Sequence, residues 1–196
     1  MRRNRAKEIM SVLREIPGVK NCTLYGSLAA GTDDSLSDID IEIDVSGCDN
    51  GKFMLELHEL LCEKINIYYM DYAPSLVPEN YIVSFALDEN DPFLMADICC
   101  KATPHCTSVS FEQVVELNGK YTHMLKLWTA NLKHYARGSE CRSDILRMAE
   151  KIGIGAKDKL SEAELLSEVL CWLEANVENG LEVLAAACRR KFEELI

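Results

Sequence analysis

Asp38 and Asp40 flank Ile39, and ten residues separate them from the pair Gly26-Ser27. On an extended chain, residues two apart point to one side and lie about 7 Å from each other. Two carboxylates held that close repel, and each raises the other's cost of ionising. A divalent cation removes the repulsion. Oxygen ligands suit magnesium, which takes one or two carboxylates and fills its shell with phosphate oxygens and water. Gly26-Ser27 offers the complementary chemistry. Glycine lets the backbone approach a phosphate closely, exposed N–H groups at a helix start bind anions, and the Ser27 hydroxyl adds a hydrogen bond. The spacing therefore predicts a cation held on one edge of a site and a phosphate chain on the other.

A third carboxylate would complete such a cage. Asp97 is the only charge in the eight residues from Phe93 to Cys100. A lone buried carboxylate is costly unless paired or metal-bound. If its strand neighbours the one carrying Asp40, Asp97 can face the same metal and also accept a proton from an attacking hydroxyl. Asp71 and Asp44 are its rivals. Taken singly, each feature has a plainer reading: Gly-Ser is an ordinary turn, an acidic strand face is solvated surface, and Asp97 could pair with a lysine or arginine in a core. The reading rests on their order.

That order needs particular elements. Ala6, Ile9, Met10, Leu13 and Ile16 recur with helical period over residues 3–16, and Pro17-Gly18 ends the run. Val19 to Tyr25 is a predicted strand leading into Gly26-Ser27, with a helical turn to Gly31 and a polar loop to Ser37. From Asp38 to Val45 acidic and aliphatic residues alternate strictly, as on a half-buried strand. A helix is predicted over Phe53 to Ile65 and a short strand over Ile65 to Met70. Strands over Tyr81 to Leu87 and Pro92 to Lys101 flank an acidic turn and form a hairpin. From Phe111 onward the periodicity is helical throughout, with Tyr121, Met124, Leu125, Trp128, Leu132 and Tyr135 on one face of a long helix. The expected fold class is α/β (α+β) with a mixed sheet over residues 1–108, followed by a helical bundle over 109–196.

Charge narrows the partners. The 196 residues carry a net charge of -11, unevenly spread: +4 over residues 1–20, -14 over 31–100 and -1 over 101–196. An acidic middle repels a phosphate backbone, so a nucleic-acid partner is disfavoured, while divalent cations or a cationic small molecule are welcomed. Acidic surfaces also simply aid solubility. No apolar run approaches a membrane span and no signal core is present, so no membrane partner and a cytoplasmic location are expected. Nine cysteines, an odd number with no Cys-x-x-Cys pair, read as reduced buried thiols; Cys99, Cys100, His105 and Cys106 form a weaker candidate metal set.

Tyr25-Gly26-Ser27, ten residues, then Asp38-Ile39-Asp40-Ile41 resembles the signature of the polymerase-β-type nucleotidyltransferase superfamily. The stretch from Ala29 to Thr32 and from Ser35 to Asp38 resembles the corresponding loop of its small bacterial members. The layout, a small α/β domain before a helical one, is similar to antibiotic nucleotidyltransferases acting on aminoglycosides and lincosamides. The resemblance covers Tyr25 to about Lys101; beyond it the likeness is one of layout. It implies that Gly26 and Ser27 bind a nucleoside triphosphate, that Asp38 and Asp40 hold two magnesium ions, and that Asp97 shares a metal or acts as base. Ser37 is a further candidate phosphate contact. Lys120, Lys126, Lys133 and Arg137 are candidate triphosphate contacts or a solvated helix face.

The reaction implied is attack by a hydroxyl of a small acceptor on the α-phosphorus of a triphosphate, ATP in the first instance, with loss of pyrophosphate. Two alternatives stand beside it: adenylylation of a protein side chain, as in antitoxin-type relatives, and a non-catalytic nucleotide-binding module. The sequence sets neither the acceptor, the base preference nor the oligomeric state.

Overall fold

The computed structural model describes residues 1–155 and 159–196. The chain divides into two compact units, one of Met1–Asp88 with Phe93–Asn118, the other of Glu89–Pro92 with Gly119–Ile196. The first holds a mixed five-stranded sheet and the second a helical bundle.

In the first unit the strands are β1 (Asn21–Tyr25), β2 (Ile39–Asp44), β3 (Tyr69–Tyr72), β4 (Tyr81–Ala86) and β5 (Met95–Lys101). They lie in the order β1-β2-β5-β4-β3. β2 and β5 are parallel and every other pair is antiparallel. The alternation read in β2 is borne out: Ile39, Ile41 and Ile43 are fully buried, while Asp40, Glu42 and Asp44 are half-buried. The aliphatic face meets two helices, α1 (Arg2–Glu15) over β1 and β2 and α3 (Asn50–Cys62) over β4 and β5. Ile9 and Leu13 of α1, Met54, Leu57 and Leu61 of α3, and Val83, Phe85 and Ile98 of the sheet complete one core. Burying each such side chain is worth roughly 1.5–3 kcal/mol. Both helices cover the same face, which leaves the acidic residues of β2 on the other.

Two boundaries differ from expectation. α3 begins at Asn50 rather than Phe53, because the Asp49 carboxylate accepts from the Lys52 amide at 2.9 Å and caps the helix. The same carboxylate accepts from the Ser108 amide at 2.8 Å and its hydroxyl at 2.7 Å, tying the loop after β5 to the helix start. Gly51 permits this closure: a β-carbon there would lie 2.7 Å from Thr107 Oγ1 and 2.9 Å from Tyr81 and Val109. The strand expected over Ile65 to Met70 lies at Tyr69–Tyr72, where it pairs with β4.

The first unit also reaches beyond residue 108, to Asn118, and includes α4 (Phe111–Leu117). Val114 of α4 is buried in the same core, and the Asn118 amide adds a second attachment. Its oxygen accepts from the Tyr72 amide at 2.8 Å and its nitrogen donates to the Tyr72 carbonyl at 3.0 Å, so one side chain pairs with the open edge of β3 as a strand would.

The second unit contains α5 (Lys120–Ala136), α6 (Arg142–Lys151), α7 (Glu162–Ala175) and α8 (Glu182–Leu195). Trp128 on α5 is fully buried, and its indole N–H donates to the Leu166 carbonyl of α7 at 2.9 Å. Arg189 of α8 grips both oxygens of Glu174 on α7, at 2.8 and 2.6 Å. Among the described residues no helix is long and apolar enough to cross a membrane.

Burial alone would raise the Asp49 carboxyl, but the hydrogen bonds from Lys52 and Ser108 outweigh it and hold the group below its ordinary range. A folded-state value below the unfolded one contributes stability above about pH 4, lost as pH falls through the folded value. Asp49→Ala should therefore lower stability by about 1 kcal/mol at pH 7. In urea titrations monitored by circular dichroism, the gap from the unaltered protein should narrow as pH falls below the ordinary carboxylate range and close once the folded-state carboxyl is protonated.

Candidate metal centre

The face of the sheet away from α1 and α3, open only in part since Ser84, Asp71 and Cys99 on it are buried, is organised by register. Tyr25 pairs with Asp40, Asp40 with Asp97, Asp97 with Ser84, and Ser84 with Asp71. Residues paired in register share a face, so these five side chains form one row across all five strands. Asp38, one residue before β2, joins the row at Asp40.

Asp38, Asp40 and Asp97 each offer a carboxylate oxygen, and the three oxygens lie within 4.8 Å of one another. All three residues are half-buried. Magnesium–oxygen distances of about 2.1 Å place two ligand oxygens about 3.0–4.2 Å apart across an octahedral ion. A closing movement of about 1 Å, within the range of an aspartate rotamer change, brings the three onto one cation. The donor set is all oxygen and all anionic, which fits a hard divalent ion. The three aspartates selected from the sequence are thus brought together.

The remaining acidic residues of this face are used otherwise. Glu42 pairs with Lys101 at 2.6 Å. Asp44 accepts from the hydroxyl and the amide of Ser46, at 2.5 and 2.8 Å, which lowers its carboxyl pKa. Asp44 is therefore a turn-capping residue. Asp71 is fully buried but lies beyond Ser84, three strands from β2, and is not one of the three clustered carboxylates.

Gly26 borders the cluster and the geometry there admits no side chain. Its φ is +65°, and a β-carbon would sit 2.0 Å from Asp40 Oδ2. The backbone thus approaches the Asp40 carboxylate directly, whereas the sequence reading expected a close approach to a phosphate. Ser27 follows, half-buried, in the short helix α2 (Gly26–Ala30). Tyr25 registers the field of the site. Burial first, then the negative charge of Asp40 with smaller parts from Cys99, Asp97 and Glu42, pushes its phenol well above the ordinary range.

Ser37 is buried and belongs to the loop's own bonding. Its hydroxyl donates to the Asp34 carboxylate at 2.9 Å and accepts from the Asp34 amide at 3.0 Å. Its carbonyl accepts from Arg2 Nε at 2.5 Å, and Arg3 pairs with Asp33 at 2.5 Å. The basic start of α1 thereby fastens the loop that delivers Asp38. The cysteine-histidine set does not converge. Cys99 lies on the open face and Cys100 on the core face, as alternation demands, while His105 stacks on Tyr81. All nine cysteines are free. Of the basic candidates on α5, Lys120 sits over the Trp172 ring at 5.5 Å.

Sequence reasoning passed over Ser84. It is fully buried, and its hydroxyl has no hydrogen-bond partner. Its signal was of the kind that marked Asp97, a single polar residue inside an apolar strand.

The chain matches no protein-family description and no curated protein.

Gly26→Ala would force both a left-handed alanine and a collision with Asp40. It should weaken Mn2+ binding, measured by titration with electron paramagnetic resonance detection, by at least about tenfold. Unchanged affinity would mean that the three carboxylates do not depend on this close approach.

Proposed function

We propose that the chain is a polymerase-β-type nucleotidyltransferase, moving a nucleoside monophosphate (AMP from ATP in the simplest case) onto a hydroxyl of a small acceptor. The observation that carries this reading is the convergence of Asp38, Asp40 and Asp97 beside a glycine that has room for no side chain. A cation-holding triad and an adjoining small-residue turn are the two halves of a nucleotide-triphosphate site. No single half would suffice, since acidic clusters and Gly-Ser turns are both common.

In the proposed reaction Asp38 and Asp40 hold magnesium, and Asp97 completes the set. Gly26 and Ser27 hold the phosphate tail through backbone N–H groups and the Ser27 hydroxyl. Magnesium, when bound, neutralises the phosphates and acidifies the acceptor hydroxyl. Asp97 is placed to take the hydroxyl proton as the new oxygen–phosphorus bond forms and the bond to the leaving pyrophosphate breaks. Fixed positions and fixed charges supply most of the rate in chemistry of this kind. A cationic acceptor, such as an aminoglycoside, suits a chain whose residues 31–100 carry -14.

The test is pyrophosphate release from ATP and Mg2+ with a panel of hydroxyl acceptors. Asp38→Ala and Asp40→Ala should each cut release by more than about a hundredfold, beyond the cost of losing an outer hydrogen-bond partner. Equal release by wild type and Asp38→Ala would refute the mechanism. Label from radioactive ATP appearing on protein, with none on small molecules, would move the acceptor to a protein side chain.

A further inference from the structure

Ser84 has no structural reason to be a serine. Its neighbours along β4 on the same face are Ile82 and Ala86, and its hydroxyl is enclosed without a partner. Leaving a buried hydroxyl unsatisfied costs about 1–3 kcal/mol, a cost that alanine would avoid. A hydroxyl kept under that penalty points to a bond made in another state of the molecule. Register sets Ser84 between two carboxylates, Asp97 of β5 and Asp71 of β3, with its β-carbon about 5 Å from each, and of the two Asp97 is the one that belongs to the clustered three. Within the row it stands on the side of Asp97 away from Asp40 and Gly26.

We infer that Ser84 is a positioning residue for the metal centre, its hydroxyl donating to the Asp97 oxygen that faces away from the cation when the three carboxylates close on it. The inference rests on the cation reading of the triad. A carboxylate that turns one oxygen to a cation presents the other for a hydrogen bond, and an ionised carboxylate only accepts while a hydroxyl can donate. Such an outer bond fixes which oxygen ligates and how the side chain is turned, and its loss typically weakens metal binding tenfold to a hundredfold. Ser84 and Asp40 flank Asp97 from opposite sides, so a carboxylate that turns one oxygen toward Asp40 can turn the other toward Ser84.

The test compares Mn2+ binding, by titration with electron paramagnetic resonance detection, in the full chain and in Ser84→Ala, alongside thermal unfolding without metal. Ser84→Ala should raise the Mn2+ dissociation constant at least about tenfold while leaving the metal-free melting temperature equal or higher. A serine that only filled space would give the opposite pattern. Ser84→Thr and Ser84→Val add the same bulk, and only the threonine keeps the hydroxyl; threonine should bind Mn2+ at least about tenfold more tightly than valine. Wild-type affinity in Ser84→Ala, or equal affinity in the threonine and valine variants, overturns the inference while leaving the cation site standing. Failure of the wild-type chain to bind Mn2+ more tightly than Asp40→Asn overturns the cation site and the inference together.

Discussion

Everything at the centre of the first unit depends on the parallel pairing of β2 with β5. That contact sets Asp40 beside Asp97, an arrangement that electrostatics alone opposes. What enforces it is the other side of the same two strands. Ile39, Ile41 and Ile43 of β2 and Ala96, Ile98 and Cys100 of β5 are all buried among α1 and α3. A slip of one residue would turn those side chains outward and the carboxylates inward, so the apolar register holds the polar one. The placement of the carboxylates is thus set by the packing on the opposite face of the same strands.

The strong acidity of residues 31–100 resolves into separate uses. Asp33 pairs with Arg3, and Glu42 with Lys101. Asp34 holds Ser37, Asp44 caps a turn, and Asp49 caps α3. Composition suggested either a solvating surface or a cation-attracting field. At the level of residues much of the charge is local scaffolding, and among the described residues the clustered oxygens belong to three side chains.

The parts of this that could be read in the sequence are those written along the chain. Alternation marks the two faces of β2, and a lone charge in an apolar run marks Asp97; the glycine before Ser27 reads as a phosphate contact, while the close approach found there is to Asp40. What pairing writes across the chain was not legible. The neighbourhood of β2 and β5 could be entered only as a condition, and Ser84 acquires meaning only through its partner in register. Ser37 looked available because the loop around it is polar, yet Asp34 and Arg2 use its hydroxyl and carbonyl. The start of α3 was placed three residues late because a helix was sought from its apolar face, whereas an aspartate cap begins it. The attachment of α4 to the sheet rests on the buried Val114 and on the Asn118 amide, and no periodicity announces the amide.

The order of the strands has a consequence for how the molecule is born. Tyr25 and Asp40 lie on neighbouring segments, and Asp97 closes a hairpin with β4, so each half can organise locally as it leaves the ribosome. Their union must wait, because α3, β3 and β4 all intervene between β2 and β5 in the chain. Loop closure over such a span is entropically slow relative to the hairpins. The nascent chain therefore carries Asp38 and Asp40 well before the strand that bears Asp97 exists, and the three carboxylates meet only when the central strands zip together.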